Sequence, residues 1–222
     1  MKRKMKILVD MVMYFIFIYL MSYRAGRGLF LHGVLGCMLF GLFLLHHMLN
    51  LAWYQGIFKG GYSFQRAALV FTDFLLLADM AAMMISSVQM SGDVFAFSPF
   101  VAAQSARNLH ICGTAWGFVW MALHLGFHTH GLFRRLYRKT KDTFFGYTYV
   151  LLFLLVWVAG IRCFIVSGIW KDMILLHSGS MAFEESLFYL QYGMITLAAC
   201  QTVHLLLAAA DCLKERKRGG RW

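Results

Sequence analysis

Six apolar stretches, each near the ~20 residues that a helix needs to cross a bilayer, divide this chain at roughly 6–23, 29–54, 66–90, 105–131, 145–169 and 183–212. In lipid a spanning segment must satisfy its own backbone hydrogen bonds, so such segments fold as helices. The chain has 222 residues, 60% of them hydrophobic, and one proline, Pro99. That is more apolar sequence than a soluble core of this size requires, and helices without proline run unbroken. No internal repeat or low-complexity linker interrupts the pattern. The expected fold is an all-α integral membrane protein with six transmembrane helices, forming one domain over residues 1–222. The first stretch opens on Lys2-Arg3-Lys4 as a signal peptide would, but Asp10 interrupts it and no small-x-small cleavage site follows. A retained helix is expected there.

The formal net charge is +11. A nucleic-acid partner is not expected, because the basic residues sit in short clusters between apolar runs. One set of segment ends carries Lys2, Arg3, Lys4, Lys6, Lys59, Arg66, Arg134, Arg135, Arg138, Lys139, Lys141, Lys214, Arg216, Lys217, Arg218 and Arg221, and the other carries Arg24, Arg27, Arg107 and Lys171. The bias is 16 to 4, with Arg162 inside the fifth stretch. The positive-inside rule then places both termini in the cytoplasm, as an even number of spans requires. The opposite loops carry Asp93, Asp172, Glu184 and Glu185. The five cysteines (Cys37, Cys112, Cys163, Cys200 and Cys212) make no CxxC or CxxCH motif and read as small buried hydrophobes. Any haem is therefore expected to be non-covalent.

Most of the nine histidines lie in apolar segments, where a polar side chain is costly. The second stretch holds His32 and His46, and the fourth holds His110 and His124, each pair fourteen residues apart. Fourteen helical residues rise about 21 Å and return to within about 40° of the same face. Both stretches run from outside to inside in the topology above. His32 and His110 are then expected at an outer level, and His46 and His124 at an inner level. Two facing imidazoles at each level suit an iron ligated from both sides, a bis-histidine haem in a helix bundle. His47 beside His46, and His128 one turn beyond His124, are alternative inner ligands. A neighbouring histidine not bound to iron would tune the ligand's surroundings.

Gly113 and Gly117 fall within about 60° of His110 on the helical wheel, and Gly36 lies between the two histidines of the second stretch. Small residues let a flat porphyrin approach the backbone, and they equally mark ordinary contacts between membrane helices. Arg107, one turn before His110, is placed either to meet a haem propionate or to sit solvated at the interface. Asp10, Asp73 and Asp79 are intramembrane acids, read as pairing with Arg162 or a histidine, or as handling protons at a quinone site. His124, His128 and His130 are close enough in sequence for a compact non-haem metal site. His204 has no histidine fourteen residues away, and His177 falls in an outer loop.

Three stretches resemble a known family: LHGVLGCMLFGLFLLHHMLNLAWYQGIFKGGYS (31–63), ARNLHICGTAWGFVWMALHLGFHTH (106–130) and MAFEESLFYLQYG (181–193). They are similar to the bacterial flavinylation-associated cytochromes, formerly a domain of unknown function. The paired His46-His47 followed by a tryptophan and a basic segment, and the His-x3-His of His124 and His128, carry the likeness. The FEES of residues 183–186 departs from the family's acidic-acidic-Pro pattern. The resemblance implies two haem b groups, an electron path across the bacterial cytoplasmic membrane, and an extracytoplasmic partner carrying covalently attached flavin mononucleotide. The fourteen-residue spacing also resembles that of quinol-oxidising cytochromes b and of ferric reductases.

The functional expectation is transmembrane electron transfer between a membrane quinone pool and that flavoprotein. No NAD or flavin fingerprint occurs, and no cytoplasmic loop is long enough for a flavoprotein domain. The chain therefore reads as an electron-transfer subunit rather than a stand-alone oxidoreductase. The rivals are a quinone or ferric reductase cytochrome b, a proton- or metal-ion transporter with intramembrane histidines, and a structural membrane subunit.

Overall fold

The computed structural model describes residues 2–22, 28–91, 94–95, 97, 99, 104–176 and 185–219. Arg24, Arg27, Asp93, His177, Glu184 and Arg221 lie outside the described residues, as do the side chains of Lys2, Glu185, Lys217 and Arg218. The described residues form helices α1 (Lys2–Met21), α2 (Leu29–Leu49), α3 (Leu51–Ile57), α4 (Phe64–Met90), α5 (Gln104–Thr140), α6 (Phe144–Ser167), α7 (Ile169–Met173) and α8 (Glu185–Gly219). No strand occurs among them. The fold is all-α, and four of its helices are long and apolar enough to cross a membrane: α2, α4, α6 and, within α8, Leu187–Arg216.

The other two expected spans are helical but more polar, for reasons visible in their residues. α1 carries Lys4, Lys6 and Asp10 within its length. α5 carries His110, His124, His128 and His130, so the histidines themselves lower its hydropathy. At 1.5 Å per residue its 37 residues extend about 55 Å. That exceeds the ~30 Å hydrocarbon core, and the last two turns carry Arg134, Arg135, Arg138 and Lys139.

The second stretch, expected to be one helix to residue 54, is broken at Asn50. The Asn50 backbone N–H bonds the carbonyls of His46 and His47 at 3.1 and 3.0 Å, and its side-chain Nδ2 donates to the His46 carbonyl at 2.8 Å. Asn50 thus satisfies carbonyls that the end of α2 leaves exposed, and α3 starts one residue later. The end of α6 is set by Gly168, whose φ of 71° is a left-handed conformation that favours glycine.

The chain divides into two compact units, Met1–Gly61 with Asp79–Thr114, and Tyr62–Ala78 with Ala115–Trp222, so α4 and α5 each contribute to both. In the first unit α1 packs on α2. Lys6 Nζ donates to Asn50 Oδ1 at 2.9 Å, which ties the start of α1 to the end of α2.

In the second unit α6 packs on α8 through small residues. A Cβ at Gly160 would collide with the Ala198 Cβ and the Met194 carbonyl oxygen, so only glycine admits this approach. Trp157 Nε1 donates to Thr202 Oγ1 at 2.9 Å, and Gln201 Nε2 to the Phe153 carbonyl at 3.0 Å. On the other side of α8, a Cβ at Gly126 of α5 would lie 2.9 Å from Val203. Phe118, fully buried, sits 5.1 Å from the Tyr192 ring. By contrast Leu151, Leu152, Leu155, Val158 and Ile165 of α6 are exposed. A helix that presents so much leucine and valine outward is matched to lipid rather than to water.

Candidate cofactor-binding histidines

The His32 and His110 rings lie in the first unit, with centroids 6.1 Å apart and planes 69° apart. An iron held between two imidazole nitrogens at roughly 2 Å each puts the ring centroids about 6 Å apart. The interplanar angle is unrestricted in such a site, because both planes contain the N–Fe–N axis. The pair therefore fits the spacing of a bis-histidine haem. An edge-to-face aromatic contact has the same spacing, so the surroundings of the rings carry the distinction.

Those surroundings favour one tautomer of His110. Its Nδ1 lies 3.4 Å from Ser86 Oγ and 3.3 Å from Ser87 Oγ. Each serine already donates its hydroxyl hydrogen to the Met83 carbonyl, at 2.9 and 2.7 Å. A hydroxyl has one hydrogen, so with both directed at Met83 the serines are placed to accept from His110. Nδ1 carries the proton, and Nε2 keeps the lone pair that a metal needs.

The same logic holds at His46 and His124. His46 Nδ1 lies 2.7 Å from Asp10 Oδ1 in the first unit, and His124 Nδ1 lies 2.6 Å from Asp73 Oδ1 in the second. An ionised carboxylate only accepts, so Nδ1 donates in both pairs and Nε2 again keeps its lone pair. Asp10 and Asp73 are thus partnered by histidines rather than by Arg162, one of the pairings expected for intramembrane acids. Asp79 is different: its Oδ2 is buried with no hydrogen-bond partner among the described residues.

The alternative ligands have their own neighbours. His47 Nδ1 is 2.6 Å from the Tyr54 hydroxyl, and its ring is 4.3 Å from Phe43. His128 is exposed, with its ring 4.6 Å from that of His124. His130 is buried and turns elsewhere: its Nδ1 is 3.0 Å from His204 Nδ1, beside Phe133 and Phe153. The three histidines of the compact-metal alternative do not converge, and no group of three His, Cys, Asp or Glu among the described residues is placed to hold a metal ion. The contact to His130 gives His204 a partner that the fourteen-residue rule does not reach.

The glycines divide. Gly36 has open space where a Cβ would stand, as a flat ligand needs. At Gly113 a Cβ would meet Met83 Cγ at 3.0 Å and Asp79 Oδ1 at 3.4 Å, so this glycine serves close approach of α5 to α4. Gly117 is buried, and Arg107 is exposed. Ser86, Ser87 and Tyr54 are missing from the expected site. Their signal was adjacent hydroxyls inside an apolar helix, and a tyrosine seven residues past His47, about two helical turns. No family model matches the chain, and neither a curated protein nor a solved structure is similar to it.

Proposed function

We propose that the chain is a membrane electron-transfer subunit holding non-covalent haem b, with His32 and His110 as axial ligands of one group. The observation that carries this reading is the 6.1 Å separation of their rings, together with an Nδ1 of His110 that faces two serines placed to accept its hydrogen. Haem b supplies reversible one-electron exchange at its iron when bound. The protein's own contribution is ligand orientation. Ser86 and Ser87 hold the His110 ring, Asp10 holds His46 and Asp73 holds His124. The second haem follows from the repeated fourteen-residue spacing and is assigned to His46 and His124 on that ground.

Six spans, both termini in the cytoplasm and the bacterial cytoplasmic membrane complete the reading, supported by the 16-to-4 basic bias. The family likeness adds a quinone pool as the source of electrons and an extracytoplasmic flavoprotein as their destination. The deciding measurement is the absorption spectrum of the purified protein with a pyridine haemochrome assay. A reduced-minus-oxidised α band with two haems per chain is expected, and a colourless protein sinks the proposal. A proton- or metal-ion transporter is the second reading, favoured by the His130–His204 contact. Bound zinc in a protein without haem would establish its metal form.

A further inference from the structure

We propose that Asp10 and Asp73 are positioning residues that hold the reduction potential of iron bound through His46 or His124 below that of iron bound through His110. The inference rests on the haem reading above and adds an ordering to it. Three of the four expected ligands have an assigned Nδ1 partner, and these partners differ in charge. His46 faces the carboxylate of Asp10 at 2.7 Å, and His124 faces the carboxylate of Asp73 at 2.6 Å. His110 faces two neutral hydroxyls whose hydrogens are already donated to Met83.

A carboxylate on Nδ1–H makes a charge-assisted hydrogen bond, about twice as strong as a neutral one. It draws the proton away from the ring and increases the basicity of Nε2. A more basic ligand, with a negative charge behind it, stabilises ferric iron over ferrous iron, because the ferric form carries one more positive charge. Both effects lower the potential. Asp73 is well enclosed, with 14% of its side chain exposed, so its effect is weakly screened, whereas Asp10, with 50% exposed, is screened more and acts less strongly. The serine oxygens at His110 carry no net charge, so this effect is absent from that side. Asp10 and Asp73 thereby make the His110 side the electron-accepting one: each electron lost on the carboxylate side is gained there. In the topology expected from the basic residues, that direction is outward.

The test is a redox titration of the full-length haem-loaded protein, followed at the α band, with haem content measured in parallel. Two components are expected. His110→Ala should remove the higher-potential one, and loss of the lower-potential one instead would overturn the ordering. Asp10→Asn and Asp73→Asn should each raise the midpoint of the lower component at unchanged haem content and leave the higher one in place. Asp10→Glu and Asp73→Glu, which keep the charge, should stay close to the parent value. Full haem content with unmoved midpoints in both asparagine variants defeats this inference alone. A parent protein without haem defeats the functional reading and this inference with it.

Discussion

His124 donates its Nδ1 hydrogen to Asp73 Oδ1 at 2.6 Å, joining residues 51 positions apart on α4 and α5. Each alone is an expensive side chain in an apolar helix, at about 3 kcal/mol or more for an ionised group near the bilayer centre. Paired, they leave one imidazole nitrogen with its lone pair in a known direction, which is the property a metal ligand must have.

Removal of a proposed ligand is the most direct test of the haem reading. His32→Ala and His110→Ala should each lower the haem content to about half of the parent value, with the remaining component keeping its spectrum. A haemochrome value equal to the parent's in both variants would show that this pair does not ligate iron.

The serines behind His110 are expected to back each other up. Ser86→Ala or Ser87→Ala alone leaves one acceptor for Nδ1 and should change haem retention little. The double variant removes both hydroxyls beside Nδ1 and should weaken haem binding by about 10-fold or more, the usual cost of deleting a ligand's hydrogen-bond partner. Haem loss to apomyoglobin, followed by absorbance, measures this. Equal loss rates in the parent and the double variant would refute the role.

At the α6–α8 crossing, Gly160→Leu must displace Ala198 or the Met194 backbone. Overpacking of this kind costs about 1–3 kcal/mol, so the variant should unfold at lower temperature in detergent. Gly36→Ala enters open space in the chain and should leave stability unchanged. The same pair examined for haem retention separates packing from cofactor contact, since only Gly36 stands near a proposed ligand.

Electron delivery to a flavoprotein is tested by mixing. The reduced protein, freed of excess dithionite, should be reoxidised faster by a purified extracytoplasmic protein carrying covalent flavin mononucleotide than by buffer, with the flavin becoming reduced. Raised salt should slow the reaction if acidic outer loops steer the encounter. Faster reoxidation by menaquinone or a ferric chelate, with the flavin remaining oxidised, would transfer the function to the reductase alternatives.

Much of the architecture was legible because bilayers demand long apolar helices. The starts of α2, α4, α5 and α6 fall within two residues of expectation. The break at Asn50 was not legible, because a local amide, and no change in hydropathy, ends α2 there. The C-terminal extension of α5 was missed for the opposite reason: Arg134 to Lys139 end the apolar run without ending the helix. Among the histidines, helical spacing singled out His32 and His110, whose rings the structure brings to 6.1 Å, since both lie on regular helices. It had no means of finding the contact between His130 and His204, which join across 74 positions. Spacing along one helix says which residues share a face, and packing alone decides which face meets which.

The pairing of Asp10 with His46 also constrains how the protein is made. α1, with Lys4, Lys6 and Asp10, is made before α2 and is a poor occupant of lipid by itself. Its partners, His46 for Asp10 and Asn50 for Lys6, are synthesised 36 and 44 residues later. Asp10 and Lys6 of α1 therefore meet their partners only once α2 has been made, and the polar side chains of the two helices are satisfied as a pair.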